Sequence, residues 1–157
     1  MEIRIRSATE ADLDTLVEFH RLFMAHHATG DARFALRPGA ADGWRAEIAR
    51  ALADPDVLAL VAEAAGEPVG CAFTLLKPGA RDFGDERIGY LCDVYVVPAW
   101  RRSGVARKLL ARTENWLQDR GIGTLEASWA LGSREAADSW PALGFAPLSV
   151  TGRKTIT

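Results

Sequence analysis

The stretch Val94-Tyr95-Val96-Val97-Pro98-Ala99-Trp100-Arg101-Arg102-Ser103-Gly104-Val105-Ala106-Arg107-Lys108-Leu109-Leu110 reads as three pieces in series. A run of β-branched and aromatic residues suits a buried strand. Pro98 stops it, because proline has no N–H to give to a ladder. A short loop holding Ser103 and Gly104 then opens into a helical pattern. The first N–H groups of a helix have no internal partner, and the helix dipole adds partial positive charge at that end. A strand that feeds a small-residue loop and a helix start is therefore an anion site by construction. Arg101 and Arg102 stand beside the free donors, and Arg107 lies one turn into the helix.

The rest of the chain limits what that anion belongs to. It has 157 residues, 48% apolar and 25% charged, with a net charge of −2. This is the size of one ordinary domain, 1–157, with enough length for a real core. A nucleic-acid partner calls for a basic excess that is absent. No apolar run approaches the roughly 20 residues of a membrane span. Met1-Glu2-Ile3-Arg4-Ile5-Arg6 alternates apolar and charged, as a strand does and a signal peptide does not. Without an export signal, Cys71 and Cys92 are expected as reduced thiols in the cytoplasm. Neither lies in a metal-type spacing, so no metal is expected.

In order, the pattern predicts a first strand at the N-terminus and a helix opened by Thr9, with Asp12 as its capping-box partner. Leu13, Leu16, Val17, His20, Phe23, Met24 and His27 form one face of that helix. A short helix follows, with Trp44, Ile48, Ala51 and Leu52 on one side, ended by Asp54-Pro55. Strands are predicted at 57–62, 69–76 and 87–97, the last two paired as a hairpin. The helix at 104–120 turns Val105, Leu109, Leu110, Thr113, Trp116 and Leu117 inward and stops at Gly121. A strand at 124–129 and a helix capped by Ser133 and closed by Pro141 and Gly144 come next. Strands at 145–150 and 154–156, around Thr151-Gly152, form a closing hairpin. The expectation is an α/β (α+β) fold: a central mixed, mostly antiparallel twisted sheet of about seven strands, flanked by four helices.

Arg101-Arg102-Ser103-Gly104-Val105-Ala106 resembles the Arg/Gln-x-x-Gly-x-Gly/Ala signature of the GNAT N-acetyltransferase superfamily. The aromatic-valine strand end before it, the Leu-Leu pair after it and Leu143-Gly144-Phe145 agree, and the likeness spans essentially the whole chain. It implies acetyl-CoA as cosubstrate. The pyrophosphate would sit on backbone N–H groups of Arg102, Ser103, Gly104, Val105 and Ala106, with charge from Arg101, Arg102 and Arg107. The pantetheine arm would pair with free backbone groups of Val94, Tyr95 and Val96 like an added strand. Ser133 and Trp140 stand where the family often has the Asn and Tyr of its final helix, and both would border the cosubstrate. The tyrosine serves as general acid; an indole N–H donates a hydrogen bond but transfers no proton at neutral pH. The leaving thiolate would then depart unassisted or with water.

For the proton taken from the amine, Asp93 is the expected catalytic base, a carboxylate among apolar neighbours in Leu91-Cys92-Asp93-Val94-Tyr95. Pairing with a backbone group or an arginine would explain it equally, and Glu86 and Glu126 are further carboxylates. Tyr90 to Val96 is similar to the Tyr-Leu-Glu-Asp-Phe-Phe-Val of diamine acetyltransferases, but Cys92 replaces their glutamate, so polyamine specificity is not supported. The resemblance puts the first two helices on the acceptor side, with His20, His26, His27 and Trp44 facing it. Histidines on an inner helix face are more often hydrogen-bonded core or cleft residues than catalysts. The acceptor expected is a small-molecule amine, or a lysine or N-terminal amine; a homodimer follows by analogy. A non-catalytic module that only binds acetyl-CoA is the alternative. A P-loop hydrolase is excluded, since no Gly-x4-Gly-Lys-Ser/Thr occurs.

Overall fold

The computed structural model describes all 157 residues. Five strands and four helices follow one another: β1 (Ile3–Ser7), α1 (Leu13–Gly30), α2 (Trp44–Ala53), β2 (Val57–Ala64), β3 (Glu67–Pro78), β4 (Arg87–Val96), α3 (Val105–Gln118), β5 (Leu125–Ala127) and α4 (Arg134–Ala142). The sheet order is β1-β2-β3-β4-β5. The first three pairings are antiparallel and β4 with β5 is parallel. A parallel pair needs a crossover, and α3 supplies it.

Alternation along β2 divides the core. Leu58, Leu60, Ala62 and Ala64 pack with Val105, Leu109, Leu110, Trp116 and Leu117 of α3. Ala59 and Val61 face the other way, onto Leu16 and Phe19 of α1 and Ile48 of α2. Leu60 and Leu109 are wholly excluded from water; burial of such a side chain contributes roughly 2 kcal/mol. Gly70 on β3 permits a close approach at the head of α3, for a Cβ there would lie 2.7 Å from the Tyr95 carbonyl oxygen and 3.2 Å from Val105 Cγ1. The capping box predicted at Thr9 and Asp12 is present, around a single 3-10 turn before α1. Asp12 is buried and takes both terminal nitrogens of Arg6 at 2.8 Å.

Three expectations are corrected. The sheet has five strands, not seven: residues 145–157 form no strand. Leu148, Val150 and Ile156 are 81%, 75% and 82% exposed. Apolar alternation makes a strand only where an edge accepts it. Here the neighbouring edge, β5, pairs over three residues, and Pro147 has no N–H to offer. The strand predicted at 124–129 shrinks to Leu125–Ala127, because its pairing with β4 ends at Leu91, just before the register of β4 breaks at Cys92. Of the two residues expected to close α4, Pro141 does not, since the helix runs through it to Ala142, while Gly144 does, left-handed at φ +94° just past the Leu143 C-cap.

Candidate acyl-transfer site

β4 is where the sheet opens. It pairs with β5 only at Gly89, Tyr90 and Leu91, so the same edge from Cys92 to Val96 has no strand beside it. Its other edge stays on β3, with Gly70 to Phe73 opposite Val96 to Asp93. Val94 and Val96 pack toward α3, while Tyr95 sits in the α1 core with Phe19, ring centroids 5.1 Å apart. Val97 N–H bonds the Val69 carbonyl on β3, so by alternation Tyr95 also turns its backbone to β3, and it is the backbone of Val94 and Val96 that faces the gap.

The loop beyond Pro98 turns that gap into an anion site. Arg102 has φ +62° and Gly104 φ +87°, two left-handed residues around Ser103. Backbone of this kind curls successive amides toward one point, a nest for an anion. The N–H groups from Arg102 to Arg107 have no hydrogen-bond partner, whereas Lys108 N–H already bonds the Gly104 carbonyl. A left-handed arginine is strained, and such strain clusters at ligand clamps. A Cβ built on Gly104 meets nothing within 4 Å, so no protein atom crowds the loop there. A pyrophosphate fits this chemistry: six free donors, a helix start, and Arg102 and Arg107 outside every ion pair of the protein. Arg101 is differently used. Its Nε bonds the Val96 carbonyl at 3.3 Å, and its Nη1 lies 3.7 Å from Glu135.

Glu135, in the first turn of α4, also takes His26 Nε2 of α1 at 3.1 Å. One carboxylate thus ties the loop, α1 and α4 together beside the gap. Ser133 is the N-cap of α4 and accepts from Ala136 N–H at 3.2 Å. Trp140 stacks on Trp129 at 5.9 Å and 18°, with Phe145 edge-on at 5.1 Å. It is a packed wall at the α3 side of the sheet.

On the opposite face lies a cleft of about 180 Å³ lined by His20, Trp44, Glu47, Ile48, Phe73, Leu75, Cys92 and Asp93. Its position comes from an irregularity. Phe73 stands opposite Asp93 and Thr74 opposite Leu91, so Cys92 is an extra residue on β4. A bulge of this kind changes which face the following side chains take. Leu91 points into the α3 core, while Cys92 and Asp93 both line the cleft. Asp93 Oδ2 lies 2.9 Å from His20 Nδ1, with both side chains about four-fifths buried (23% and 20% exposed). The His20 ring meets Trp44 edge-on at 4.8 Å. Glu86 and Glu126 are not in this cleft; Glu126 lies 3.8 Å from Lys77.

Burial, reinforced by the Asp93 charge, pushes the Cys71 thiol up to about 12 and the Cys92 thiol up to about 11. Both shifts disfavour a resting thiolate. The arrangement suits direct attack by an acceptor in the cleft on a thioester held along β4.

Sequence reasoning named Asp93, the edge 94–96 and the loop 101–107; Asp93 lines the cleft, the edge from Cys92 to Val96 has no strand beside it, and the loop carries the free amides. It missed that His20 and Asp93 are partners, that Glu47 shares their cleft, and that Glu135 bridges Arg101 and His26. Each joins residues distant in sequence, and local periodicity carries no signal for them.

Comparison with known proteins agrees with this geometry. The acetyltransferase (GNAT) family pattern matches residues 17–145. An aminoglycoside N(6')-acetyltransferase type 1 of Stenotrophomonas maltophilia is 35% identical over 123 residues, 75% of this chain and 78% of that protein. One of Klebsiella aerogenes is 28% identical over 111 residues, 68% and 73% of the two chains. Among solved structures, an aminoglycoside 6'-N-acetyltransferase of Acinetobacter haemolyticus shares the fold at TM-score 0.77, with 23% identity over 98% of this chain and 99% of that one. So does the AAC(6')-Iy enzyme in complex with the bisubstrate analogue CoA-S-monomethyl-acetylneamine, at TM-score 0.79 and 18% identity over 99% and 100% of the two chains. The chain belongs to the acetyltransferase (GNAT) family and is an acetyl-CoA-dependent N-acetyltransferase.

Proposed function

We propose that the acceptor is an aminoglycoside and that the acetyl group goes to its 6'-amine. The observation that carries the reading is the succession along one stretch of chain: Asp93 in the acceptor cleft, the β4 edge left without a strand beside it, and the amide nest at 102–107. The curated relatives bear this activity in their names. An aminoglycoside is a polycation, and Asp93 and Glu47 give the cleft two carboxylates.

In this reading acetyl-CoA, when bound, supplies an acetyl group activated as a thioester. The amides of Arg102, Ser103, Gly104, Val105 and Ala106 hold its pyrophosphate, with Arg102 and Arg107 adding charge-assisted bonds. Arg101 braces the loop against the Val96 carbonyl. Backbone groups of Val94 and Val96 pair with the pantetheine arm as a neighbouring strand would. Trp140, set in place by α4 and its Ser133 cap, walls the cosubstrate side and donates no proton. Asp93 anchors the acceptor end. Two free thiols suit a reducing compartment, the cytoplasm, and the exposed apolar tail at Leu148, Val150 and Ile156 suits a homodimer.

Thiol release from acetyl-CoA across a panel of aminoglycosides, a polyamine and a lysine peptide tests the acceptor. Turnover concentrated on the aminoglycosides is expected. Turnover of the polyamine or the peptide with none on any aminoglycoside overturns the assignment, and binding of acetyl-CoA without turnover of any amine leaves a binding module instead.

A further inference from the structure

We infer that His20 takes the proton from the attacking amine and that Asp93 is the residue that positions it; this rests on the acyl-transfer reading above and deepens it. The chain has three histidines. His26 has its Nε2 tied to Glu135. His27 packs against Phe23, with ring centroids 4.4 Å apart and planes tilted by 53°, and makes no hydrogen bond. Only His20 both lines the cleft and has a carboxylate on Nδ1.

That contact fixes the chemistry of the ring. An ionised carboxylate only accepts, so the proton on the neutral imidazole sits on Nδ1 and the lone pair is left on Nε2. No protein group bonds Nε2 of His20. Trp44 and Phe23 hold the ring plane, at 4.8 and 6.4 Å. The bulge at Cys92 is what aims Asp93 at α1, at the point where β4 parts from β5. A base oriented through its far nitrogen by a largely shielded carboxylate is the same logic as a catalytic triad, with the amine in the nucleophile's place. Imidazole also suits the task better than a carboxylate, whose ordinary pKa near ~4 makes it a weak base at neutral pH.

The step balances. The amine nitrogen bonds the acetyl carbon as that carbon's bond to sulfur breaks, and the sulfur leaves with the electron pair. The proton lost by nitrogen goes to His20 Nε2, and from there to the departing thiolate or to water. The titratable groups that face His20 are Asp93 and Cys92 on β4, Glu47 on α2, Cys71 on β3 beside Asp93, and His27 two turns along α1. The thiols are held up by burial and titrate above the neutral range, while burial holds His27 below its ordinary value.

The test is the pH dependence of kcat/KM for the best amine of the panel, in wild type, His20→Gln, Asp93→Asn and His27→Gln. Wild type and His27→Gln should show a rising limb in the imidazole range. His20→Gln should lose that limb and about 100-fold or more in kcat, with acetyl-CoA affinity unchanged. Asp93→Asn should keep a limb, displaced, at reduced kcat. A limb retained in His20→Gln with kcat within about threefold of wild type overturns the proposal, as does a limb lost only in Asp93→Asn. The imidazole nitrogen chemical shifts of wild type alone provide a second reading that needs neither a variant nor an acceptor. A neutral His20 protonated on Nδ1 is expected, and the Nε2–H tautomer refutes the arrangement. If no aminoglycoside reacts but another amine does, the acceptor assignment fails while the limb still identifies the base.

Discussion

Gly104→Ala separates the two things a left-handed glycine can do, provided it is compared with Gly66→Ala. Gly104 has φ +87° and Gly66, in the β2–β3 turn, φ +83°, and a Cβ on either meets no atom within 4 Å. The two substitutions therefore impose the same backbone strain, about 1 kcal/mol, and no clash. At this chain length that lowers Tm by roughly 2–4 °C in both variants. Only Gly104 lies in the nest. A Cβ there would crowd the phosphate and displace it from at least one amide. A hydrogen bond to a charged group contributes about 1.5–3 kcal/mol, so acetyl-CoA should bind roughly 10- to 100-fold more weakly. Isothermal titration gives the dissociation constants and a thermal melt the strain. Equal affinities in the two variants, at matched loss of Tm, would refute the nest as the pyrophosphate site.

Trp140→Phe should keep kcat within about threefold, because an indole transfers no proton, whereas Trp140→Ala should cost about 2 kcal/mol through the lost stack on Trp129. A large fall in kcat for Trp140→Phe at unchanged Tm would give the indole a part in the chemistry. The Arg6 guanidinium holds the Asp12 carboxyl down to about 2, against 3.8 as its ordinary value. A depressed carboxyl stabilises the fold above its unfolded value and loses that contribution as pH falls through the folded one. Asp12→Asn should therefore be weaker than wild type by about 2 kcal/mol in urea at pH 7, with the gap closing between about pH 4 and pH 2. A gap that does not change with pH would show that the ion pair is not its source.

What could be read from sequence was local. The anion loop needs only a strand, a proline, small residues and a helix start, and all four are contiguous between Val94 and Leu110. The capping box at Thr9, the inner face of α3 and the Ser133 cap are likewise set within a few residues. The bulge at Cys92 is invisible in sequence because it is a property of the register between β3 and β4. Without it Asp93 could be placed in a strand but not aimed at a partner, and His20, 73 positions away, stayed a separate observation. The left-handed Arg102 is strain imposed by the loop, against the residue's own preference. The C-terminal hairpin failed for the opposite reason: Phe145 to Ile156 has strand-like alternation, but β5, the edge beside it, is only the three residues Leu125–Ala127.

The most direct measurement compares two aminoglycosides that differ only at the 6' position, one with an amine and one with a hydroxyl, in a thiol-release assay with acetyl-CoA. Turnover of the amine alone, with mass spectrometry showing one acetyl group on the product, is the predicted result. Equal turnover of both, or of neither while another amine reacts, would contradict 6'-amine transfer from a thioester held along β4.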